Sequence, residues 1–272
     1  MKNCSNLASN FFYKKTSVRQ TLPIRSRHFF YILLILSAIL LHQTGYGQKV
    51  GYGPKLGAGA SFFRGDFPIS GMRLPKFGYS FGGYLSIKGK KNKKWQFEMN
   101  LLYTKRGNNS NFTNTINLKE NDPYPAFKNE FTYNIGYLEI PLLFKYMLNK
   151  GGMVRPYLIF GPVYSGLINA TFTNNTLGNK KELDAKDYLN RDDFGIMLGW
   201  GIQNFILDRW YHLDIRYYHG FINHSEFLQN DLIPWRGTAS NTAAPIISEY
   251  RNSTITITLG VGLELSETFF LR

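Results

Sequence analysis

The chain has 272 residues, 43% hydrophobic, 16% aromatic and only 18% charged, which is too apolar for an intrinsically disordered protein. Its formal charge of +14 points to nucleic acid only until the chain is divided at residue 47, because the first 47 residues hold six Lys/Arg and no acid, leaving 26 basic against 18 acidic residues in the rest. Cys4 is the single cysteine, so the remainder has no disulfide framework, no Cys-based zinc site and no thiol nucleophile.

Residues 1–47 read as a signal peptide. Lys14, Lys15, Arg19, Arg25 and Arg27 form a basic region that runs on to His28, longer than usual, and thirteen largely apolar residues follow from Phe29 to Leu41. Gly45 and Gly47 suit the minus-three and minus-one positions of a signal peptidase site. The apolar run is shorter than the roughly 20 residues that cross a bilayer as a helix. Cleavage after Gly47 is therefore expected, with Gln48 opening a mature domain of residues 48–272.

Eight segments of that domain alternate with period two, as strands with two chemically different faces do. Val50 to Phe62 sets Val50, Tyr52, Leu56, Ala58, Ala60 and Phe62 against glycines, Lys55 and Ser61. Phe77 to Lys88 sets Phe77, Tyr79, Phe81, Leu85 and Ile87 against Gly78, Ser80, Gly82, Ser86 and Lys88, with Tyr84 breaking the pattern. In Trp95 to Arg106 the greasy face is Trp95, Phe97, Met99, Leu101 and Tyr103, and the other carries Gln96, Glu98, Asn100, Leu102, Thr104 and Arg106. Leu138 to Tyr146 places Glu139, Pro141, Leu143 and Lys145 opposite Leu138, Ile140, Leu142, Phe144 and Tyr146. Arg155 to Ala170 is apolar on both parities and its faces stay unassigned. Phe194 to Ile202 alternates large residues with Gly195, Met197, Gly199 and Gly201; Tyr211 to Tyr217 has His212, Asp214 and Arg216 as its polar set. Thr254 to Leu265 closes the series, with Ile255, Ile257, Leu259, Val261, Leu263 and Leu265 against Thr, Gly and Glu264.

The gaps between segments run long, short, long, short. About residues 64–76, 107–130, 171–192 and 222–252 are long, whereas Gly89 to Lys94, Met147 to Met153 and Ile206 to Arg209 are short. Transmembrane barrels have this asymmetry, with long extracellular loops and short periplasmic turns. A soluble lipocalin-like barrel would alternate too, with its apolar face inside around a ligand. Glycine, serine, threonine and charged residues on the second face suit a narrow lumen better, and Trp95, Tyr103, Tyr146, Tyr211 and Tyr217 fall near expected membrane interfaces. The fold class expected is all-β: an eight-stranded antiparallel up-and-down transmembrane β-barrel preceded by a signal peptide.

On this parity Lys55, Lys88, Arg106, Lys145 and Arg216 point inward together with Glu98, Glu139, Asp193, Asp214 and Glu264. Five bases facing five acids predict a salt-bridged plug rather than a conducting channel. Glu98 is expected to couple to Arg106, and Lys88 and Asp193 lie nearest the strand ends.

Four ordered blocks, Tyr137-Leu-Glu-Ile-Pro-Leu-Leu-Phe-Lys-Tyr146, Arg155-Pro-Tyr-Leu-Ile-Phe-Gly-Pro-Val-Tyr164, Asp193-Phe-Gly-Ile-Met-Leu-Gly-Trp-Gly201 and Leu213-Asp-Ile-Arg-Tyr217, resemble the PorT-like outer-membrane β-barrel family of Bacteroidota across nearly all of residues 48–265. The resemblance implies an eight-stranded outer-membrane barrel, in a family whose founding member is tied to type IX protein secretion. The chain departs from the pattern by ending Leu265-Ser-Glu-Thr-Phe-Phe-Leu-Arg272, where such barrels usually finish on a strand with a terminal aromatic.

The remaining motifs have bland readings. Lys90, Lys91, Lys93 and Lys94 around Asn92 supply the solvation a periplasmic hairpin turn needs, and without interleaved aromatics and glycines they do not suggest nucleic acid. Gly57-Ala-Gly59 and Gly199-Trp-Gly201 precede no helix pattern, so they are small inward residues rather than phosphate loops. His219, His224, Ser225 and Glu226 are the ingredients of a lipid A deacylase-like hydrolase, but adjacent His224 and Ser225 would face opposite sides of a strand. His212 and Asp214 share a face without an evident third metal ligand. No catalytic, cofactor-binding or metal-binding residue is assigned, and no cofactor is expected.

The function expected is a non-enzymatic barrel of the bacterial outer membrane with a structural, binding or envelope-assembly role, accessory to protein secretion in one version. The alternatives are a membrane-embedded lipid-modifying enzyme and, less favoured in so narrow a barrel, a small-solute pore. The expected partners are outer-membrane lipids and lipopolysaccharide, with envelope or secretion proteins beyond them; no nucleic acid is expected, and the protein should be a monomer.

Overall fold

The computed structural model describes residues 49–65, 72–88, 94–114, 127–149, 152–176, 179–186, 189–224 and 251–265. The leader 1–47, Lys90 to Lys93 of the lysine run and the tail after Leu265 lie outside the described residues. All eight expected segments are strands: β1 (Lys49–Arg64), β2 (Met72–Lys88), β3 (Trp95–Asn114), β4 (Phe127–Met147), β5 (Val154–Thr176), β7 (Asp192–Ile206), β8 (Arg209–Gly220) and β9 (Arg251–Leu265). A short additional strand, β6 (Asn179–Asp184), folds back on the end of β5.

Every pairing is antiparallel, in the order β4-β3-β2-β1-β9-β8-β7-β5, and the pairing of β4 with β5 closes the sheet on itself. Closure removes the edges, which is the condition for strands to cross lipid, where an unpaired N–H or C=O has no water to satisfy it. Both ends of the barrel chain, Lys49 and Leu265, lie at the end that carries the short turns. There Leu207 and Asp208 connect β7 to β8 as a two-residue turn with φ of 51° and 59°. Two consecutive positive φ angles are those of a type I′ hairpin, whose twist matches that of the flanking strands.

The alternation expected from the sequence is the alternation observed, with its apolar face outward. Leu56, Phe77, Leu101, Trp200 and Ile257 are 55–73% exposed, whereas Lys55, Glu98, Lys145 and Asp214 are at most 1% exposed. That inversion of an ordinary globular protein excludes the soluble lipocalin-like alternative, which would bury the first set and solvate the second. Tyr84, the exception in β2, obeys the parity and points inward.

β5 escaped assignment because its lumenal face is apolar as well. Tyr157, Ile159 and Val163 are buried and pack with Leu143, Met147, Met197 and Tyr218, while Leu158 and Phe160 face outward. The parity also changes partway along. Gly136 of β4 pairs with Asn169 and Tyr137 with Leu167, so Ile168 is passed over in a bulge and Ala170 and Phe172 turn inward.

Strands β3, β4 and β5 have 20, 21 and 23 residues, against 12 in β8, and about 9–11 suffice to cross a bilayer. Their short-turn ends are aligned, Trp95 with Tyr146 and Met147 with Tyr157. The excess therefore projects at the long-connection end. Residues 107–114, 127–130 and 171–176, expected as loop, are paired strand. They gave no alternation signal because the contrast between two faces is imposed by the bilayer, and beyond it the ladder needs no greasy side.

We expect the protein to be heat-modifiable, running faster on a gel before boiling than after it, because a closed barrel offers no edge from which to unravel. Identical migration in the two lanes would be incompatible with a closed membrane barrel.

Candidate functional site: an ion-paired lumen

All ten predicted charges point into the barrel, and they are distributed in tiers along its axis. At the short-turn end Lys88 Nζ lies 2.9 Å from Glu264 Oε1 and 4.2 Å above the ring of Trp210. This pair keeps contact with solvent, with side chains 20% and 19% exposed.

The middle tier is dry. Glu98 of β3 receives three cations: Lys145 Nζ of β4 at 2.5 Å, Lys55 Nζ of β1 at 2.7 Å and Arg216 Nη2 of β8 at 3.2 Å. Lys55 and Arg216 also share Asp214, at 3.2 and 2.5 Å. Asp214 is saturated further by hydrogen bonds donated from the Tyr157 hydroxyl and from Thr258 Oγ1 at 3.0 Å. Space for the Tyr157–Asp214 contact comes from Gly201, where a Cβ would stand 2.6 Å from Asp214 Oδ1 and 2.9 Å from the Tyr157 ring. The glycines of Gly199-Trp-Gly201 are thus small inward residues, as read from the sequence.

Above it, Arg106 pairs with Glu139 and stacks 3.9 Å over the ring of Tyr218. Arg106 is therefore not the partner of Glu98. The expectation failed because parity says which residues share a face, whereas which of them meet depends on strand tilt and on side chains reaching across the lumen. Asp193 likewise pairs with none of the five bases. It accepts a hydrogen bond from Asn252 Nδ2 at 3.0 Å and faces His224 Nε2 at 3.8 Å, with the Tyr137 hydroxyl 3.1 Å from the same Asn252 amide. Over this tier Phe63, Ile135, Tyr137, Phe172, Ala185 and Leu189 form an apolar cluster at the long-connection end.

The two other constellations resolve differently. His219 lies on the outer side of the wall between Tyr217 and Phe221, whereas His224 is buried inside. The barrel wall separates the two histidines, and Ser225 and Glu226 lie outside the described residues. His212 and Asp214 do share the lumenal face. His212 stacks edge-on against Tyr84 with ring centroids 5.4 Å apart, while both oxygens of Asp214 are engaged as above. Among the described residues no three His, Cys, Asp or Glu side chains converge on a metal position.

Sequence reading missed Tyr157, Thr258, Asn252 and Tyr218 as members of the lumenal network. Tyr157 was hidden by the unassigned faces of β5, Asn252 lay in an expected long connection and Tyr218 just past the end of its segment; Thr258 had an inward parity, but neutral side chains were not counted with the charges.

On the outer wall, Trp95 packs on Tyr146 at 4.9 Å and on Phe160 at 6.1 Å near the short-turn end. Phe81 and Tyr103 meet at 5.3 Å farther along β3. The eight-residue separation of Trp95 and Tyr103 is roughly 27 Å measured along a strand, comparable after tilting to the apolar band of about 25 Å that aromatic girdles flank.

The family description that matches is the outer membrane protein beta-barrel domain, over residues 43–226. The chain belongs to the outer membrane protein β-barrel domain family. No curated protein matches it in sequence. Solved structures similar to it include Neisserial surface protein A, at 11% identity and a TM-score of 0.37, covering 79% of this chain and 97% of that one. Ail, the attachment invasion locus protein of Yersinia pestis, shows 13% identity and a TM-score of 0.33, covering 79% and 98%. The outer membrane protein OprG from Pseudomonas aeruginosa shows 11% and 0.35, covering 80% and 95%.

In this member of the outer membrane protein β-barrel domain family, Glu98→Ala leaves Lys55 and Arg216 paired with Asp214 and takes from Lys145 its ion pair with Glu98. We expect a loss of about 3–5 kcal/mol, the size seen when one partner of a buried ion pair is removed. Adding Lys145→Ala should recover part of it, since among the described residues Lys145 has its ion pair with Glu98 alone, whereas adding Arg106→Ala should recover nothing. Urea unfolding of the four proteins in lipid vesicles measures both differences.

Proposed function

We propose that this outer-membrane barrel is non-enzymatic and non-conducting, and serves as a rigid platform whose long-connection end, the projecting ends of β3, β4 and β5 with β6, is the contact surface for other envelope components. The observation that carries the reading is the lumen. Glu98, Asp214 and the three cations between them join β1, β3, β4 and β8 across the interior, and an eight-stranded barrel is only wide enough to be filled by such side chains. A lumen held closed in this way suits binding better than passage.

In this reading residues 1–47 are a cleaved signal peptide, the short turns face the periplasm and the long connections face the exterior. The projecting strands extend the sheet beyond the lipid, where paired backbone presents side chains in a fixed array. The PorT-like blocks support an envelope-assembly or secretion-accessory role, with envelope proteins and outer-membrane lipids as partners and the barrel itself a monomer.

Purified protein in planar bilayers should show no steady, well-defined conductance; stable channels would overturn the closed lumen. Surface labelling tests the orientation. A tag placed in the β3–β4 connection, residues 115–126, should be labelled in intact cells and a tag in the β2–β3 connection, residues 89–93, should not. The reverse pattern would invert the topology. Pull-down of tagged protein from gently solubilised outer membrane should bring down envelope proteins, and binding that persists when the β3–β4 connection is shortened to a tight turn would remove it from the contact surface.

A further inference from the structure

The outer wall is not uniformly covered. Pro54 of β1 and Gly83 of β2 are directly paired, and both positions face outward. Proline has no N–H to give to β9, and the β1–β9 ladder accordingly has no pairing between Tyr52–Leu263 and Lys55–Gly260. Gly53 lets the strands keep close there, since a Cβ on it would run into the backbone of Val261 and Gly262. Gly83 offers no side chain, and a Cβ on it would meet nothing nearer than the Gly53 carbonyl oxygen at 3.5 Å.

The result is a groove of about 570 Å³ on the lipid-facing side, within the range of about 300–1,000 Å³ usual for small-molecule sites. Tyr52, Leu85, Leu101 and Leu263 border it with their outward side chains. Arg209 stands at its short-turn end: Trp210 pairs with Gly262, which sets Arg209 beside Leu263 on the same face. Arg209 is exposed and makes no ion pair among the described residues; Glu264, the acid next in sequence to Leu263, points inward to Lys88.

We propose that this groove is a binding site for one anionic phospholipid, an acyl chain lying in the notch over Pro54 and Gly83 and the phosphate held by the Arg209 guanidinium. An apolar trough ending in one unpaired cation has the polarity of a single lipid: hydrocarbon along its length and a negative group at its end. A guanidinium matches phosphate oxygens bidentately. Its place at the short-turn end selects a phospholipid of the periplasmic leaflet rather than lipopolysaccharide, a step that rests on the orientation proposed above. The anionic headgroup supplies the charge Arg209 lacks, which a neutral lipid or a second copy of this wall, bringing another Arg209, does not.

The test uses the mature protein released from nanodiscs of equal phosphatidylglycerol and phosphatidylcholine, with retained lipid counted by native mass spectrometry. One phosphatidylglycerol should remain on the native sequence. Gly83→Phe, which fills the notch from the lipid side, should lower the lipid-bound fraction about tenfold, a change of about 1.4 kcal/mol in binding. Arg209→Gln should keep a bound lipid but lose the preference for phosphatidylglycerol. Heat-modifiability of each variant shows that the barrel has formed, so a folding failure is not mistaken for lost binding. Retention unchanged in Gly83→Phe, equal retention of both lipids by the native sequence, or a dimer that Gly83→Phe splits would each overturn the site. Channel conductance would refute the closed platform while leaving the lipid site standing, and reversed surface labelling would refute its assignment to the periplasmic leaflet even if the lipid were retained.

Discussion

Three cations on one carboxylate hold the middle of this barrel. Glu98 sits where Lys55, Lys145 and Arg216 arrive from three different strands, and Asp214 takes a second contact from two of them. None of these side chains could be left alone in a dry interior, where an unpaired charge is costly by several kcal/mol. Their mutual compensation decides what else the lumen can contain. Tyr157 and Thr258 complete the acceptors of Asp214, Gly201 makes space for that contact, and Tyr84 and His212 fill the flank. A sheet that closes over eight strands leaves room for this packing and little besides.

The backbone and the side chains answer two different solvents. Lipid demands that every strand have two partners, which the β4–β5 pairing satisfies by closing the ring. It also demands an apolar exterior, and the outward rows of Leu, Ile, Phe and Trp supply one. The lumen obeys an opposite rule, with polar groups admitted where they find partners. Beyond the bilayer both demands lapse. The ends of β3, β4 and β5 continue as paired backbone of mixed polarity, with an apolar cluster of Phe63, Ile135 and Phe172 beneath them. This difference between the two ends is why the contact surface is proposed on the long-connection side, while the wall faces lipid.

The wall itself varies in thickness because its residues have two sides to serve. At Pro54 and Gly83 the outward positions carry little, while the intervening inward positions of the same strands, Lys55 and Tyr84, are among the bulkier occupants of the lumen. Alternation lets a strand be thin toward lipid and thick toward the interior within three residues.

How much of this was legible beforehand differs by feature. Period-two alternation in segments such as Trp95 to Arg106 determined the strands, their faces and the inward set of ten charges, because a strand sends neighbouring side chains to opposite sides whatever surrounds it. It did not determine that Arg106 meets Glu139, that Asp193 relies on Asn252, or that Tyr157 closes on Asp214. Nor did it show Ile168 passed over in β5, or β3 continuing past Arg106. Those outcomes depend on register and tilt, which place residues far apart in sequence opposite one another across a lumen. Where a strand alternates, local pattern sorts its side chains onto the two sides of the wall; only the closed sheet decides which partner each finds there.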